Sequence, residues 1–445
     1  MIAQTYIDDG LALAGKGDFQ KAALLFCQAI ELDPRIPGAY QHLGEVLLQL
    51  KFWDEAQRCF CKAIELKPHY PEAYNHLGTV LKNENRPADA EKCYRQAIEQ
   101  RPDYAEAFHN LGNCLKFSHR FAEAESCYLR ALELHPGLEE SCFSLATLYL
   151  IQGQYEKGWP LYKARFKKEG KFRLKIPLWH GEDLAGCKIL LFYEQGFGDM
   201  IQFSRYIDEV AKLAPTTVWI QQPLARLLAN TQKDFAVCTD GRRIDPSQFD
   251  YACSLFSLPV IFQTSIATIP RMIPYIRADQ EIAVKWRQKI AGLAGGRYKV
   301  GVVWAGNPLH SDDQNRSIPL NQFSRIFGLD QIFWVSLQVG DQSLELAGRS
   351  EQVFDCSGEL IDFAETAGVI ANLDLVIAVD TAAAHLAGAM GKKAWLLLPF
   401  RPDWRWGLEG EESPWYPTMR LFRQHQAGDW PEVLERVTTA FQERI

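Results

Sequence analysis

Residues recur at a step of 34 through the first third of this chain. Pro34, Pro68, Pro102 and Pro136 keep that step, and so do Gly10, Gly44, Gly78 and Gly112. Ala22, Ala56, Ala90 and Ala124 make a third row, and Ala29, Ala63, Ala97 and Ala131 a fourth. Aromatics repeat at Phe26, Phe60, Tyr94 and Tyr128, and again at Tyr40, Tyr74 and Phe108. A period of this length belongs to stacked helix pairs, because one pair cannot bury its apolar face alone and stacking does it. The small residues mark close helix crossings, the rings fill the space between layers, and each proline ends a second helix.

This pattern resembles the tetratricopeptide repeat. Four repeats cover residues 2–136, and a fifth, degenerate one runs from Gly137 to about Lys168, with Ala146 and Gly158 at the expected places. The repeat domain is therefore expected over residues 1–168. Such stacks leave a concave groove lined by the first helix of each pair, and His42, His76, Asn110 and Ser144 stand at one position facing it. Polar side chains there suit a peptide backbone, as an asparagine row does in protein O-GlcNAc transferases. A solvated helix face explains the same residues. A repeat array is a protein-binding scaffold and carries no chemistry of its own.

At 445 residues the chain has room for further domains. A net charge of −7 argues against non-specific nucleic-acid binding, which relies on a basic surface. The eleven cysteines include no C-x-x-C pair, and Cys59, Cys93 and Cys127 keep the repeat register, as small core residues would. The first ten residues lack the order of a signal peptide. Residues 373–391, the most apolar long stretch, are broken by Asp374, Asp380 and His385, so no membrane span is expected. A reduced cytoplasm is the expected location.

The register fails after residue 168, and residues 169–187 read as a linker with Trp179 packed at a joint. Strand, turn and helix then alternate. KILLFY (188–193) is a strand, followed by Glu194-Gln195-Gly196-Phe197-Gly198-Asp199 and a helix expected over 200–213. The third glycine of a dinucleotide fingerprint is replaced by Ile201, and the next strand ends in glutamines with no acid for a ribose, so NAD binding is not expected. Gly196 and Gly198 would let another molecule lie against the turn. Asp199 is either a helix cap or, in a cleft, a general base.

A second series opens with KVGVVW (299–304) and the long polar loop AGNPLHSDDQNRSIP. Arg316 is the natural diphosphate clamp there, with Asn307 and His310 in reach of the same ligand. Residues 374–399 form a β-α-β unit whose helix opens at the carboxyl end of a strand, where ligands of open α/β sheets bind. Asp380 or Thr381 caps that helix, Ala382, Ala383 and Ala384 permit close approach, and His385 shares a face with Thr381. A buried helix with a core histidine accounts for the stretch equally well. The loop with Asp403, Trp404, Arg405 and Trp406 suits sugar or base recognition, or else an aromatic plug closing the sheet.

Gly-Phe-Gly-Asp after the first strand and Asp-Thr-x-x-x-His after a late one resemble a GT-B glycosyltransferase. The resemblance is to the ADP-heptose:lipopolysaccharide heptosyltransferase family (glycosyltransferase family 9-like) and covers about residues 188–445. It implies an α-solenoid followed by two Rossmann-type α/β halves, 188–294 and 295–445, and inverting transfer from a nucleotide-diphospho-sugar donor without a separate cofactor. By resemblance Asp199 is the catalytic base; Asp380, Thr381 and His385 belong to the donor site, and Arg316 meets the diphosphate. No Asp-x-Asp metal motif occurs, so Arg316 and the helix amides near Thr381 would do the work of a divalent ion. The whole chain looks like bacterial tetratricopeptide-repeat glycosyltransferase proteins, with a protein, peptide or glycan acceptor chosen by the repeats. The alternative is a non-catalytic scaffold with a degenerate nucleotide-binding module. The first half is short for a heptosyltransferase, and the repeat array replaces whatever would recognise a lipid core, which puts that acceptor in doubt.

Overall fold

The computed structural model describes residues 2–165, 174–229, 234–310, 312–348 and 352–443. The chain divides into two compact units, one of Met1–Tyr149 with Pro160–Glu169 and the other of Leu150–Trp159 with Gly170–Ile445.

The first unit is built of helix pairs: α1 (Ile2–Gly15) with α2 (Phe19–Leu32), α3 (Pro37–Gln49) with α4 (Trp53–Leu66), α5 (Pro71–Asn83) with α6 (Pro87–Gln100), and α7 (Ala105–Phe117) with α8 (Phe121–Leu134). Pro37, Pro71 and Pro87 open their helices at the first position, where the missing N–H has no helical partner to lose. The glycine row answers to the aromatic row. A Cβ on Gly44, Gly78 or Gly112 would sit 2.7 Å from the ring of Phe60, Tyr94 or Tyr128, and each of these rings is buried. The backbone repeats too. Gly17, Lys51, Asn85, His119 and Gly153, each 34 apart, all have φ between 58° and 81° at the turn inside a pair. Only two of the five are glycine, so the turn is imposed by the packed helices around it.

The second unit holds two parallel sheets. Strands β1 (Ile189–Phe192), β2 (Thr216–Trp219), β3 (Phe235–Cys238) and β4 (Tyr251–Ser254) lie in the order β3-β2-β1-β4. Part of the expected linker is stitched to this sheet. Leu178 bridges Ala252, the Ala252 N–H donates to Pro177 O at 2.8 Å, and the Trp179 N–H donates to Ala252 O at 2.9 Å. Trp179 is thus a buried part of the second unit, edge-on to Phe262. Residues 169–173 of that segment lie outside the described residues.

The helix expected over 200–213 is broken into Phe197–Phe203, a 3-10 turn Ser204–Tyr206, and Ile207–Ala211. Side chains take the carbonyls that would continue the ladder: Ser204 Oγ donates to Ile201 O at 2.8 Å and Arg205 Nε to Gln202 O at 2.9 Å.

The second sheet runs β10-β9-β8-β5-β6-β7, from β5 (Tyr298–Val303), β6 (Ile332–Ser336), β7 (Val353–Asp355), β8 (Leu375–Val379), β9 (Ala394–Leu398) and β10 (Met419–Arg423). Strands β8 and β9 are buried along their whole length, as expected of parallel strands covered on both faces. Val300, Ile377, Trp395, Leu397 and Phe441 share one core with the closing helix Trp430–Gln442. The chain steps outward through β5, β6 and β7, then returns to the other side of β5 for β8. This places a topological switch point between the carboxyl ends of β5 and β8, where ligands of such sheets bind.

Candidate functional site

Strand β1 ends at Phe192, and Gly196 caps the helix Phe197–Phe203. Asp199 is the third residue of that helix, and its Oδ2 accepts the Gly196 N–H at 3.0 Å. The cap function expected of Asp199 is therefore real, but it closes the turn from inside the helix. What lies against the second glycine is protein. A Cβ on Gly198 would be 2.8 Å from His385 Cδ2 and 3.5 Å from Ala382 Cα, so the residue is small because the helix Ala382–Ala389 crosses there. Gly196 itself is exposed.

At the switch point, Arg316 Nη1 donates to Asp380 O at 3.1 Å and Nε to Asp313 Oδ1 at 3.1 Å. Gln338, after β6, holds the chain beyond β5 by accepting the Ala305 N–H at 3.0 Å and donating to Ala305 O at 3.1 Å. Gly306 lies directly under the Arg316 guanidinium. Asn307 and His310 are exposed and serve their own loop: Asn307 Oδ1 accepts the Leu309 N–H, and His310 Nδ1 accepts the Asp312 N–H. Thr381 stands at the N-cap but its hydroxyl donates to Val379 O at 3.1 Å, so the expected side-chain cap is absent. Thr381, Ala382 and Ala383 keep part of their surface accessible. A helix start without a side-chain cap leaves its first amides to solvent or to another partner.

The loop after β9 meets both halves. Asp403 accepts the Arg405 N–H at 3.0 Å and its Nη1 at 2.7 Å, while Arg405 Nη2 pairs with Asp199 Oδ1 and Nε donates to Gln202 Oε1 at 2.6 Å. Trp406 Nε1 donates to Asp380 Oδ2 at 2.9 Å, and His385 Nδ1 is 2.8 Å from Tyr416 Oη. Trp404, Trp406, Trp415 and Tyr416 are all buried: Trp404 and Trp415 pack against Tyr155, Trp404 also against Trp159, and Trp406 and Tyr416 pack against each other and His385. Between the two roles open to this loop, its tryptophans form the plug, and Arg405 is engaged by protein groups. Arg205 adds a second buried guanidinium, donating to Trp415 O at 3.0 Å and the Tyr275 hydroxyl at 3.1 Å.

Burial dominates the titration of these groups. It raises the Asp199 carboxyl, against the pull of Arg405, and it pushes Asp380 up to about 6, with Asp403 adding repulsion. His385 is driven well below the usual histidine range by burial, then by Arg405 and Arg205, so its ring is neutral at pH 7. Burial also lowers Arg401, beside Asp312, to about 10. Arg401, Gln202, Gln338 and Tyr416 were not singled out from sequence. Only Gln202 carried a signal, since it falls three residues after Asp199 and shares its helix face. Among the described residues no three His, Cys, Asp or Glu side chains are grouped to hold a metal ion, and no helix is long and apolar enough to cross a membrane. A cavity of about 330 Å³ lies at the amino ends of β1–β3, lined by Lys188, Thr216, Asp234 and Phe235 among others, at the opposite edge from this cluster.

In the first unit the polar row is half-buried and internally bonded. His42 Nδ1 and His76 Nε2 flank Glu45 at 3.0 and 3.1 Å, Asn110 Nδ2 donates to Asn75 Oδ1 at 2.9 Å, and Ser144 follows at the equivalent place in the next repeat. Rings of the second helices support the same row: Phe26 lies 5.7 Å from the His42 ring and Phe60 stacks on His76 at 5.4 Å.

Models of the tetratricopeptide repeat match residues 37–70 and 70–136. Protein FlbA of Caulobacter vibrioides is 26% identical over an alignment of 331 positions that covers 68% of this chain and 54% of that protein, so the chain spans about half the length of the curated relative it matches. Among solved structures, YrrB, described as a TPR protein with an unusual peptide-binding site, is 24% identical with a TM-score of 0.31, covering 37% of this chain and 86% of its own. A thermophilic TPR protein of Thermus thermophilus is 22% identical with a TM-score of 0.35, covering 38% of this chain and 92% of its own. The chain contains tetratricopeptide repeats, which imply an interaction scaffold, followed by a unit built on parallel sheets.

Proposed function

We propose that the second unit is a glycosyltransferase of GT-B, heptosyltransferase-like type. It moves a sugar from a nucleotide-diphospho-sugar to a hydroxyl of a protein, peptide or glycan acceptor selected by the repeats. The observation that carries this reading is the meeting of Gly198 with His385, which brings Asp199 of the first half beside the helix start at the switch point of the second. In the proposed step Asp199 takes the proton of the acceptor hydroxyl, whose oxygen attacks the anomeric carbon from the face opposite the diphosphate, inverting it. Arg316 and the first amides of the helix Ala382–Ala389 take up charge on the departing diphosphate, without a metal ion. Asp380 and His385 shape the donor side, His385 as a neutral ring.

A thermal-shift screen of the full chain against ADP-, GDP-, UDP-, dTDP- and CMP-sugars tests the donor. One donor should stabilise by about 2.7 kcal/mol at a hundredfold excess over its Kd, and Arg316→Ala should abolish that shift. A flat response to every donor removes the transferase reading. The scaffold reading has its own support: the family matches fall on the repeats, and Arg405 already occupies Asp199.

A further inference from the structure

We propose that Arg405 is a positioning residue for Asp199: it holds the carboxylate in one orientation and in its ionised form, ready to take a proton. This rests on the transferase reading and adds to it the group that prepares the base. Arg405 is itself fixed on three sides. Asp403 takes its backbone N–H and Nη1, Gln202 takes Nε, and the Trp404 ring lies 4.5 Å from the guanidinium carbon. Only Nη2 is directed to Asp199. The Asp199 carboxylate is fixed in turn at both oxygens, Oδ1 by Arg405 and Oδ2 by the Gly196 N–H. Gln202 and Asp199 lie three residues apart on one short helix, so a single guanidinium reads both and sets the rotation of that helix face.

The need for such a partner follows from where Asp199 sits. Its side chain is only 21% accessible, and burial favours the protonated acid, which cannot act as a base. The charged and titratable groups facing it are Arg405 and Asp403 from the loop after β9 and the imidazole of His310 from the loop after β5; neutral His385 flanks Gly198. Arg405 contributes the largest opposing influence, and Asp403 partly offsets it.

The test is a carbon-13 NMR titration of the full chain labelled at aspartate carboxyls, with the Asp199 signal assigned by its loss in Asp199→Asn. In Arg405→Gln the midpoint of Asp199 should rise by about 1–3 pH units, and Arg405→Lys should restore part of that change. An unmoved midpoint in folded Arg405→Gln overturns the proposal. If that variant does not fold by near-UV circular dichroism, Gln202→Met carries the test, since it loosens Arg405 without removing its charge. A smaller upward shift supports the proposal and none overturns it. The titration reads the carboxylate without turnover. A shifted midpoint in a chain that binds no nucleotide sugar therefore leaves the ion pair standing and removes the transferase reading alone.

Discussion

The two units of this chain place their informative contacts at very different distances along the sequence. In the array, Gly44 meets Phe60 and Asn110 meets Asn75, within one repeat or between neighbours. In the second unit, Asp199 meets Arg405 across 206 residues, and Gly198 meets His385 across a similar span. The array repeats one local solution, so a change there should have a local, structural price. The second unit brings unrelated loops together once, so on the proposed transferase reading a change there should alter chemistry before it alters stability. The acids make the same contrast. Glu45 is held below the usual carboxylate range, its burial outweighed by His42 and His76, whereas Asp380 is raised by burial.

The largest effect expected from this contrast is on turnover. Asp199→Asn should lower transfer by about 10²–10⁴-fold at saturating donor while leaving the fold intact, as initial rates and circular dichroism would read. Undiminished turnover would break the assignment of chemistry to the second unit. In the array, Gly78→Val should destabilise by about 1–3 kcal/mol, because the new methyls enter the space of the buried Tyr94 ring. Urea melts followed by tryptophan fluorescence should register little of it, since Trp53 is the one tryptophan of residues 1–149, whereas far-UV circular dichroism should register it fully. Equal shifts in both signals would show that the units unfold together.

The smallest effect is the acid response, and its sign differs between the units. Asp380 has a folded value of about 6, above that of the unfolded chain, so its contribution is complete below about pH 4 and is lost as pH rises through 6. Glu45 is shifted the other way, so its contribution is present above about pH 4.3 and is lost as pH falls through its lowered folded value. Asp380→Asn should therefore remove a downward slope between pH 4 and 6, and Glu45→Gln should remove an acid-labile part of array stability. Each is read as a difference from the unsubstituted chain, because neutral, buried His385 adds a slope opposite to that of Asp380. Variants that change the two slopes in the same direction would contradict the opposed shifts.

Much of the secondary structure was legible because each element rests on residues adjacent in sequence. The strand at 188–193 and the β-α-β unit of 374–399 needed only apolar runs with a helix between the last two. The break at Ser204–Tyr206 was not legible, since the Tyr275 hydroxyl that helps take the Ile201 carbonyl lies 74 residues away. The choice between recognition loop and plug was hidden for a similar reason: Trp404 and Trp406 have the same composition whether they face solvent or Tyr155 and His385.

By itself, then, the sequence determined the repeat array, its step, its glycine and aromatic rows and the alternation of strands and helices, because periodicity and local propensity act over a few turns of chain. The tertiary structure alone decided that Gly198 faces a helix, that Arg405 is paired with Asp199, and that Lys51, Asn85 and His119 take a left-handed turn. Those outcomes depend on packing between segments far apart in the chain, where burial and charge pairing outweigh the preference of any single residue.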